Sequence, residues 1–275
     1  SSALLVPAPL LHVAPDAVSS TAAISACEKA GRWQGALALL GDMPELGVEP
    51  DVVSCNAALS ACEKAGQWQT ALAVLASAPH LRVEPDVVSY SAAASACEKA
   101  GEWKSALTLL DSMAEARVQP DVISCSATLS ACGRAGRWQE ALALLFSMLK
   151  LRIEPNVVSC SAVLSACEKA SMWQAVLALL HSMPRMHVEP NVVSCSAAVS
   201  ACDKGGCWQV ALALLDSMSA RHVEPQIVSC NSLLGACRSS SRWRAGLSLL
   251  DGMPRLRSQP NVQSCKEAIG ACESG

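Results

Sequence analysis

Small hydrogen-bonding side chains recur along this sequence in two columns, each with a spacing of 35 residues. A carboxylate only accepts hydrogen bonds, so it suits a ligand with a ring N–H, such as uracil or guanine. An amide can also donate, which suits the bare ring nitrogen of adenine or cytosine. The first column consists of Thr21, Asn56, Ser91, Ser126, Ser161, Ser196 and Asn231. The second consists of Asp51, Asp86, Asp121, Asn156, Asn191, Gln226 and Asn261. Because neighbouring columns are nearly fixed, this variation favours a surface that distinguishes one ligand group from another.

The second column also has a purely structural interpretation. Each of its members directly follows a proline, as in Pro50-Asp51, and Pro-Asp before a helix is ordinary N-capping chemistry. The first column can likewise be polar helix surface. The two columns alone therefore leave capping and ligand binding open.

The elements that position these columns follow from a repeat without insertion or deletion. Its prolines are Pro15, Pro50, Pro85, Pro120, Pro155, Pro190, Pro225 and Pro260. Its tryptophans are Trp33, Trp68, Trp103, Trp138, Trp173, Trp208 and Trp243. A fixed period of this length is the signature of a solenoid of stacked supersecondary units.

The first half of each unit predicts a helix, which we call helix A. In the copy that starts at Asp51, both Asp51 and Ser54 are plausible N-caps. Apolar residues follow at helical spacing, and Gly66 is suited to a left-handed C-terminal position.

The second half of each unit predicts helix B, which starts near the tryptophan, as at Trp68, and carries a broad apolar face. In most copies we expect it to end around a methionine, such as Met43, Met113 or Met183, before a loop closed by proline. The tryptophans are out of phase with the two polar columns, so we expect them to pack between hairpins.

Neither helix can bury its apolar face alone, so successive hairpins must stack. We therefore predict an all-α fold, a right-handed α-solenoid (superhelix) of antiparallel helix-turn-helix repeats with period 35. We expect one array over 1–275, with the tail of a truncated repeat at 1–16 and the first helix of another at 262–275. The full repeats are 17–51, 52–86, 87–121, 122–156, 157–191, 192–226 and 227–261. The two partial copies lead us to expect a piece of a longer protein.

Bulk properties narrow the function classes. The net charge is −3, so nucleic-acid binding requires a local basic stripe rather than an overall excess of cations. No apolar stretch approaches the roughly 20 residues of a membrane span, so we expect no membrane partner. No catalytic arrangement, metal-ligand cluster or cofactor motif emerges beyond the repeat. We therefore expect no enzyme activity, no metal and no cofactor in this sequence.

The 15 cysteines fall into two columns, apart from Cys207. The columns lie seven residues apart on helix A, about 10 Å along the axis, which exceeds the reach of a disulfide. We expect small, buried, reduced thiols, with Cys207 beside the turn as the one to test for reactivity.

The unit described above resembles the pentatricopeptide repeat (PPR). The resemblance rests on the 35-residue period, the Pro-Asp boundary, the glycine between helices and the Ala-Leu-x-Leu-Leu-x-x-Met pattern of helix B, and it covers essentially the whole chain. One departure is that the family usually has Tyr where this chain has Cys55, Cys125, Cys160, Cys195, Cys230 and Cys265, whereas Tyr90 keeps the aromatic ring.

The resemblance implies sequence-specific binding of single-stranded RNA, one base per repeat. It implies action in organellar RNA processing, stability, editing or translation, in a chloroplast or mitochondrion, although no transit peptide is visible. In the family the two polar columns select the base: Ser or Thr in the first favours purines, and Asn favours pyrimidines. Taken in order, the pairs imply a target near 5′-GUGAAnC-3′, read parallel to the chain.

The resemblance also assigns two further columns. Apolar residues that would sandwich each base are Val18, Val53, Val88, Ile123, Val158, Val193 and Val228. Cations that would contact the phosphate backbone are Lys29, Lys64, Lys99, Arg134, Lys169 and Lys204, and Ser239 breaks this column. Neighbouring acidic residues weaken the stripe, so we expect modest affinity and steep salt dependence.

Two other functions remain open. A protein-interaction scaffold would hold a peptide in the concave groove of the solenoid, and the acidic balance leaves room for it. Alternatively, protein partners or a catalytic domain, such as a nuclease or editing enzyme, would lie outside this segment.

Overall fold

The computed structural model describes residues 16–220, 225–256 and 258–273. Within those ranges every regular element is a helix and no strand occurs, which confirms the predicted all-α fold of helical hairpins. The chain divides into two compact units, Ser1–Ala96 and Cys97–Gly275. The predicted partial helix at the start of the chain lies outside the described residues. None of the described helices has the length and apolarity of a membrane span.

The described helices alternate between the two predicted types. Helix A is represented by α1 (Ala17–Lys29), α3 (Val52–Lys64), α5 (Val87–Ala100), α7 (Val122–Arg134), α9 (Val157–Lys169), α11 (Val192–Lys204), α13 (Ile227–Ser239) and α15 (Val262–Glu273). Helix B is represented by α2 (Trp33–Asp42), α4 (Trp68–Ser77), α6 (Trp103–Glu115), α8 (Trp138–Lys150), α10 (Trp173–Ser182), α12 (Trp208–Ala220) and α14 (Trp243–Gly252). Each described helix B thus starts at the repeat's tryptophan, as predicted.

A reciprocal pair of hydrogen bonds starts helix A. At α3, the Ser54 N–H donates to Asp51 Oδ1 at 2.7 Å, and the Asp51 N–H donates to Ser54 Oγ at 3.0 Å. This capping box satisfies two backbone donors that the helix itself leaves unpaired. Asp51 is therefore the N-cap, and Ser54 is the third helical residue. The same box begins α1, α7, α9 and α11.

The turn between the helices requires a left-handed residue. Gly66 adopts φ +66°, which confirms the role predicted for it, and the equivalent residues of four other described repeats are glycines with similar angles. Ser171 and Ser241 occupy the same position with φ of 57° and 53°. A side chain there is strained, because Cβ crowds the following carbonyl group.

The length of helix B depends on the residue after the methionine position. Proline follows it at Pro44, Pro79, Pro184 and Pro254, and there the α-helix has only 10 residues. Elsewhere it continues to 13 residues, so that Met113 lies inside α6 rather than at its end. The expectation that helix B ends around the methionine holds to within two residues at Met113, where α6 continues to Glu115 because no proline interrupts the helix.

Small side chains allow the helices to pack closely. In the first unit α1 packs on α3, and α2 packs against both. In the second unit α7, α9, α11, α13 and α15 pack in succession, and each intervening helix B contacts the helix A on either side. Buried alanines such as Ala71 and Ala141 occupy helix B where large side chains would hold the helices apart. Within each unit, the predicted stacking of hairpins is confirmed.

The cysteines are free, and most are buried, as predicted. Burial raises the pKa of thiols such as Cys160 and Cys167 to about 11. Cys265 and Cys272 depart from the expectation because they are exposed on α15. They lie on the face that preceding repeats cover with another hairpin, and α15 is the last helix described. Cys27 and Cys207 are half-buried.

The strained turns predict that Ser171→Gly and Ser241→Gly will each raise the free energy of unfolding by about 0.5 to 1 kcal/mol, because glycine adopts positive φ without steric cost. Chemical denaturation of the variants and the parent measures this. Ser165→Gly, inside α9, is the matched control and should lower stability by a similar amount. A loss of stability in all three variants would contradict the conclusion that the backbone is strained at Ser171 and Ser241.

The burial of the thiols predicts selective alkylation. Near pH 8, iodoacetamide should modify Cys27, Cys207, Cys265 and Cys272 first, because the thiolate is the nucleophile and buried thiols with raised pKa values are protonated. Mass spectrometry after a short incubation measures the sites, and the urea-unfolded chain, in which every cysteine should react, is the control. Modification of Cys160 as rapid as that of Cys272 would contradict the burial of Cys160 between packed helices.

Candidate functional site

Residues of the two polar columns meet in pairs, although they lie 30 residues apart in sequence. Asn56 Nδ2 donates to Asp86 Oδ1 at 3.2 Å, and Asn231 Nδ2 donates to Asn261 Oδ1 at 3.4 Å. A third pair joins Ser126 Oγ to Asn156 Oδ1 at 3.4 Å. These contacts form because the first residue lies on one helix A and the second caps the next. Stacking thus places one polar pair at each of these junctions.

Ser196 and Gln226, the column residues of repeat 192–226, are not joined in this way. Gln226 is exposed and makes no capping hydrogen bond to α13 through its side chain. Ser196 Oγ lies 2.8 Å from Ser229 Oγ, a contact equivalent to those that Asn56 and Asn231 make with the hydroxyls of Ser89 and Ser264. The structure therefore does not join these two residues as it joins Asn56 and Asp86.

Hydroxyl groups in the first column are partly committed to their own helices. Thr21 Oγ1 donates to the Ala17 carbonyl, and Ser91 Oγ donates to the Val87 carbonyl, both at 2.7 Å. Both Ser91 and Ser126 are 7% exposed, so these two side chains are more buried than that of Asn56, which is half-buried. Of the remaining second-column residues, Asp51 is exposed and Asp121 is half-buried.

Most residues of the second column cap helices, as the structural interpretation of the sequence predicted. Asp51, Asp86, Asp121, Asn156, Asn191 and Asn261 each accept a hydrogen bond from the backbone N–H of the serine three residues later. Capping uses one oxygen of each side chain. Because a carboxylate or an amide has two polar ends, capping through one oxygen is compatible with ligand binding through the other end.

A column of aliphatic side chains accompanies the polar pairs on helix A. These residues are between 56% and 76% exposed, and they are Val18, Val53, Val88, Ile123, Val158, Val193 and Val228. One exposed aliphatic residue is ordinary, but three at equivalent positions in the first unit and four in the second form a regular apolar surface within each unit. A planar apolar ligand group would cover such a surface favourably.

One cleft brings three predicted columns together. It has a volume of about 400 Å³ and is lined by residues of α7, α9 and α11 and by Glu98 of α5. Val158 and Val193 line it, together with the polar residues Ser161 and Asn191 and the cation Arg134, which is paired with Glu98. Two aliphatic side chains, two polar side chains and an ion pair thus border one opening. That combination suits a ligand that is flat and apolar on its faces and polar at its edge.

The cations of the predicted phosphate column pair with carboxylates of the preceding repeat. Lys64 Nζ lies 2.8 Å from Glu28 Oε1, and Arg134 and Lys204 lie 3.2 Å from Glu98 and Glu168, respectively. We call these three pairs the ion-pair ladder. Their neutralisation reduces the positive charge of the predicted stripe.

Other cations of the column have different surroundings. Lys169 Nζ donates to the carbonyl oxygens of Gly133 and Arg134, both at 2.9 Å, because a glycine stands where Glu28 and Glu168 stand in other repeats. Both Lys29 and Lys99 are exposed. Arg238, which was not among the predicted cations, pairs with Glu267 at 2.9 Å. It could have been predicted from its place beside Ser239, the residue that interrupts the column of cations.

Hydrogen bonds orient the carboxylates of the ladder, and at Glu28 they also lower the pKa. The hydrogen bond from Lys64, the largest contribution, and one from Ser60 together lower the pKa of Glu28 in spite of partial burial. Ser200 similarly donates to Glu168 at 2.7 Å. In contrast, burial raises the pKa of Asp203, at the equivalent position on α11. Within the described ranges, no group of His, Cys, Asp and Glu residues is arranged to hold a metal ion.

Family comparisons match most of the chain to pentatricopeptide repeats. The PPR repeat matches residues 18–48, 88–118, 158–188 and 228–258. The pentatricopeptide repeat domain matches 38–100 and 178–239, and the PPR repeat family matches 120–169. No curated protein sequence matches the chain.

Solved structures resemble the chain in fold. The pentatricopeptide repeat protein PPR10 from maize is 26% identical with a TM-score of 0.61, over 96% of this chain and 43% of PPR10. PPR10 in complex with an 18-nt psaJ RNA element is 25% identical with a TM-score of 0.57, over 93% of this chain and 41% of that one. This chain therefore spans less than half of PPR10. The PPR domain of Arabidopsis thaliana protein-only RNase P 1, in complex with tRNA, shares the fold at 16% identity and a TM-score of 0.58, over 66% of this chain and 95% of that domain.

Proposed function

Because the chain belongs to the pentatricopeptide repeat family, we propose that it binds single-stranded RNA sequence-specifically, one base per repeat. The observation that carries this proposal is the pairing of the polar columns, as in Asn56 and Asp86, beside an exposed aliphatic column. The RNA complex of PPR10, a similar protein, supports the same ligand class.

Each column has its own task in this proposal. The polar pair hydrogen-bonds the Watson–Crick edge of one base, and aliphatic side chains from successive repeats, such as Val158 and Val193, hold the base between them. The cations attract the phosphate backbone and make binding depend on salt. The resulting target is near 5′-GUGAAnC-3′.

The charge of Asp86 illustrates how the second base is selected. Burial acts to raise its pKa, but hydrogen bonds from the Ser89 N–H, the Asn56 amide and the Ser89 hydroxyl outweigh it, so the pKa is lowered. The carboxylate is therefore ionised at neutral pH and presents only acceptors. It suits the ring N–H of uracil or guanine, and Asn56 would favour the smaller uracil.

We further propose that these repeats act as a binding module without chemistry of their own, in organellar RNA processing, stability, editing or translation. The chloroplast and the mitochondrion are both compatible with the family. A catalytic partner or domain outside this segment would supply any reaction on the RNA.

A second candidate is a scaffold that binds a peptide along the same surface. The ion-pair ladder is the observation that favours it, because cations paired with carboxylates attract phosphates weakly. Exposed aliphatic residues would suit apolar side chains of a peptide as well as bases. The two candidates differ in how they respond to removal of the ladder carboxylates.

The Asn56→Ser variant tests base selection. With Asp86 retained, the shorter side chain should accommodate a purine, so preference at the second base should change from U to G by about tenfold or more, in line with the 1–3 kcal/mol of a good base contact. Fluorescence anisotropy with RNAs that differ only at that base measures it. Asn231→Ser is the matched control and should alter only the seventh base. Unchanged preference for U would contradict the assignment of Asn56 and Asp86 to the second base.

Removing the ladder carboxylates tests the phosphate column. The triple variant Glu28→Gln, Glu98→Gln and Glu168→Gln frees three cations, so RNA affinity should rise several-fold at low salt. The slope of log K against log salt should also steepen, by up to about 0.7 per freed cation. The triple variant Glu49→Gln, Glu84→Gln and Glu189→Gln, on exposed loops outside the ladder, changes the net charge by the same amount and is the control. An equal effect of this control, or none from the ladder variant, would argue against phosphate contact and favour the scaffold.

A further inference from the structure

The N-cap hydrogen bond fixes which end of an asparagine amide faces outward. A backbone N–H can only donate, so the atom that caps it must be the amide oxygen. In Asn156 and Asn191, Oδ1 accepts from the N–H of Ser159 and Ser194, both at 2.9 Å. The opposite end of each amide is therefore the NH₂ group. A capped asparagine presents donors to a ligand on its outer side.

A capped aspartate presents the opposite chemistry. In Asp51 and Asp86, Oδ1 accepts from the N–H of Ser54 and Ser89 at 2.7 and 2.9 Å. The second carboxylate oxygen can only accept. With the same backbone hydrogen bond in place, an asparagine therefore presents a hydrogen-bond donor on its outer side, whereas an aspartate presents an acceptor.

Gln226 lacks this constraint. Its backbone has the extended geometry of an N-cap, with φ −85° and ψ 159°, but its side chain does not cap α13. The hydroxyl of Ser229 contacts Ser196, as the hydroxyls of Ser89 and Ser264 contact Asn56 and Asn231 in capped repeats, so the missing side-chain cap is what distinguishes this repeat. Glutamine has an extra methylene group and is not among the residues that favour this position. Its exposed amide can therefore turn either its oxygen or its NH₂ group toward a ligand.

We propose, on the basis of the RNA-binding function above, that the N-cap hydrogen bond sets whether each repeat selects its base with a donor or an acceptor. The repeat 192–226 consequently accepts any base at the sixth position, because the amide of Gln226 is not oriented. The serines at the third helical position, such as Ser194, act as positioning residues through their backbone N–H groups.

An exchange of residues between neighbouring repeats tests this proposal. In the parent, RNAs based on GUGAAnC should bind with A favoured over G at the fifth base by tenfold or more. The four bases at the sixth position should bind within about threefold of one another. Gln226→Asn should create a preference of tenfold or more for A over G at the sixth base. Asn191→Gln should reduce discrimination at the fifth base to about threefold.

Two further measurements separate orientation from general destabilisation. Asn156→Gln should remove discrimination at the fourth base only, which gives an independent second test if Asn191→Gln folds poorly. In every variant, preference at the unaltered positions should match the parent, a result that simple loss of a helix cap would not produce. Thermal unfolding should show Gln226→Asn to be more stable than the parent, since the cap is restored.

The outcomes distinguish the proposal from its premise. If the parent discriminates at the fifth base but Gln226→Asn creates no preference at the sixth, the orienting role of the cap is wrong and RNA binding stands. Strong base preference at the sixth position of the parent would likewise contradict the orienting role of the cap and leave the RNA-binding proposal unaffected. If the parent binds none of these RNAs, the proposed function fails, and this inference fails with it.

Discussion

Within each unit, close packing of one helix A on the next is the contact on which the other features depend. It is achieved with alanine, serine and cysteine side chains, which are buried along these helices. At Gly133 even a Cβ atom would lie 2.6 Å from the Ala162 carbonyl oxygen, so α7 and α9 meet nearly backbone to backbone. Only such a short separation lets a side chain on one helix A reach the N-cap of the following one.

The N-cap residue therefore serves two purposes with one side chain. It satisfies backbone donors at the start of helix A, which the helix cannot satisfy itself. In doing so it acquires a fixed orientation next to a polar residue of the preceding helix A, as Asp86 does next to Asn56. The proposed function thus links stability to base selection in each repeat, and Gln226 is the N-cap residue that makes no side-chain capping hydrogen bond.

Much of this arrangement could be predicted from sequence, because the 35-residue period fixes equivalent positions in every copy. The period identified the helix B starts at tryptophan, the left-handed turn at Gly66 and the two polar columns. The ion-pair ladder could not be found in the same way. Lys64 has Glu63 beside it in sequence, whereas its partner Glu28 lies on the preceding helix A, and only the packing angle brings the two together. The half-buried position of Cys27 and the exposure of Cys265 likewise depend on which neighbouring helices cover them.

The most direct measurement of the central claim is the binding of labelled GUGAAAC RNA, compared with a scrambled RNA, the duplex RNA and DNA of the same sequence, at two salt concentrations. One polar pair for each unpaired nucleotide requires the matched single strand to bind most tightly, with affinity falling as salt rises. Equal affinity for all four nucleic acids, or binding to none, would contradict selection by the paired columns.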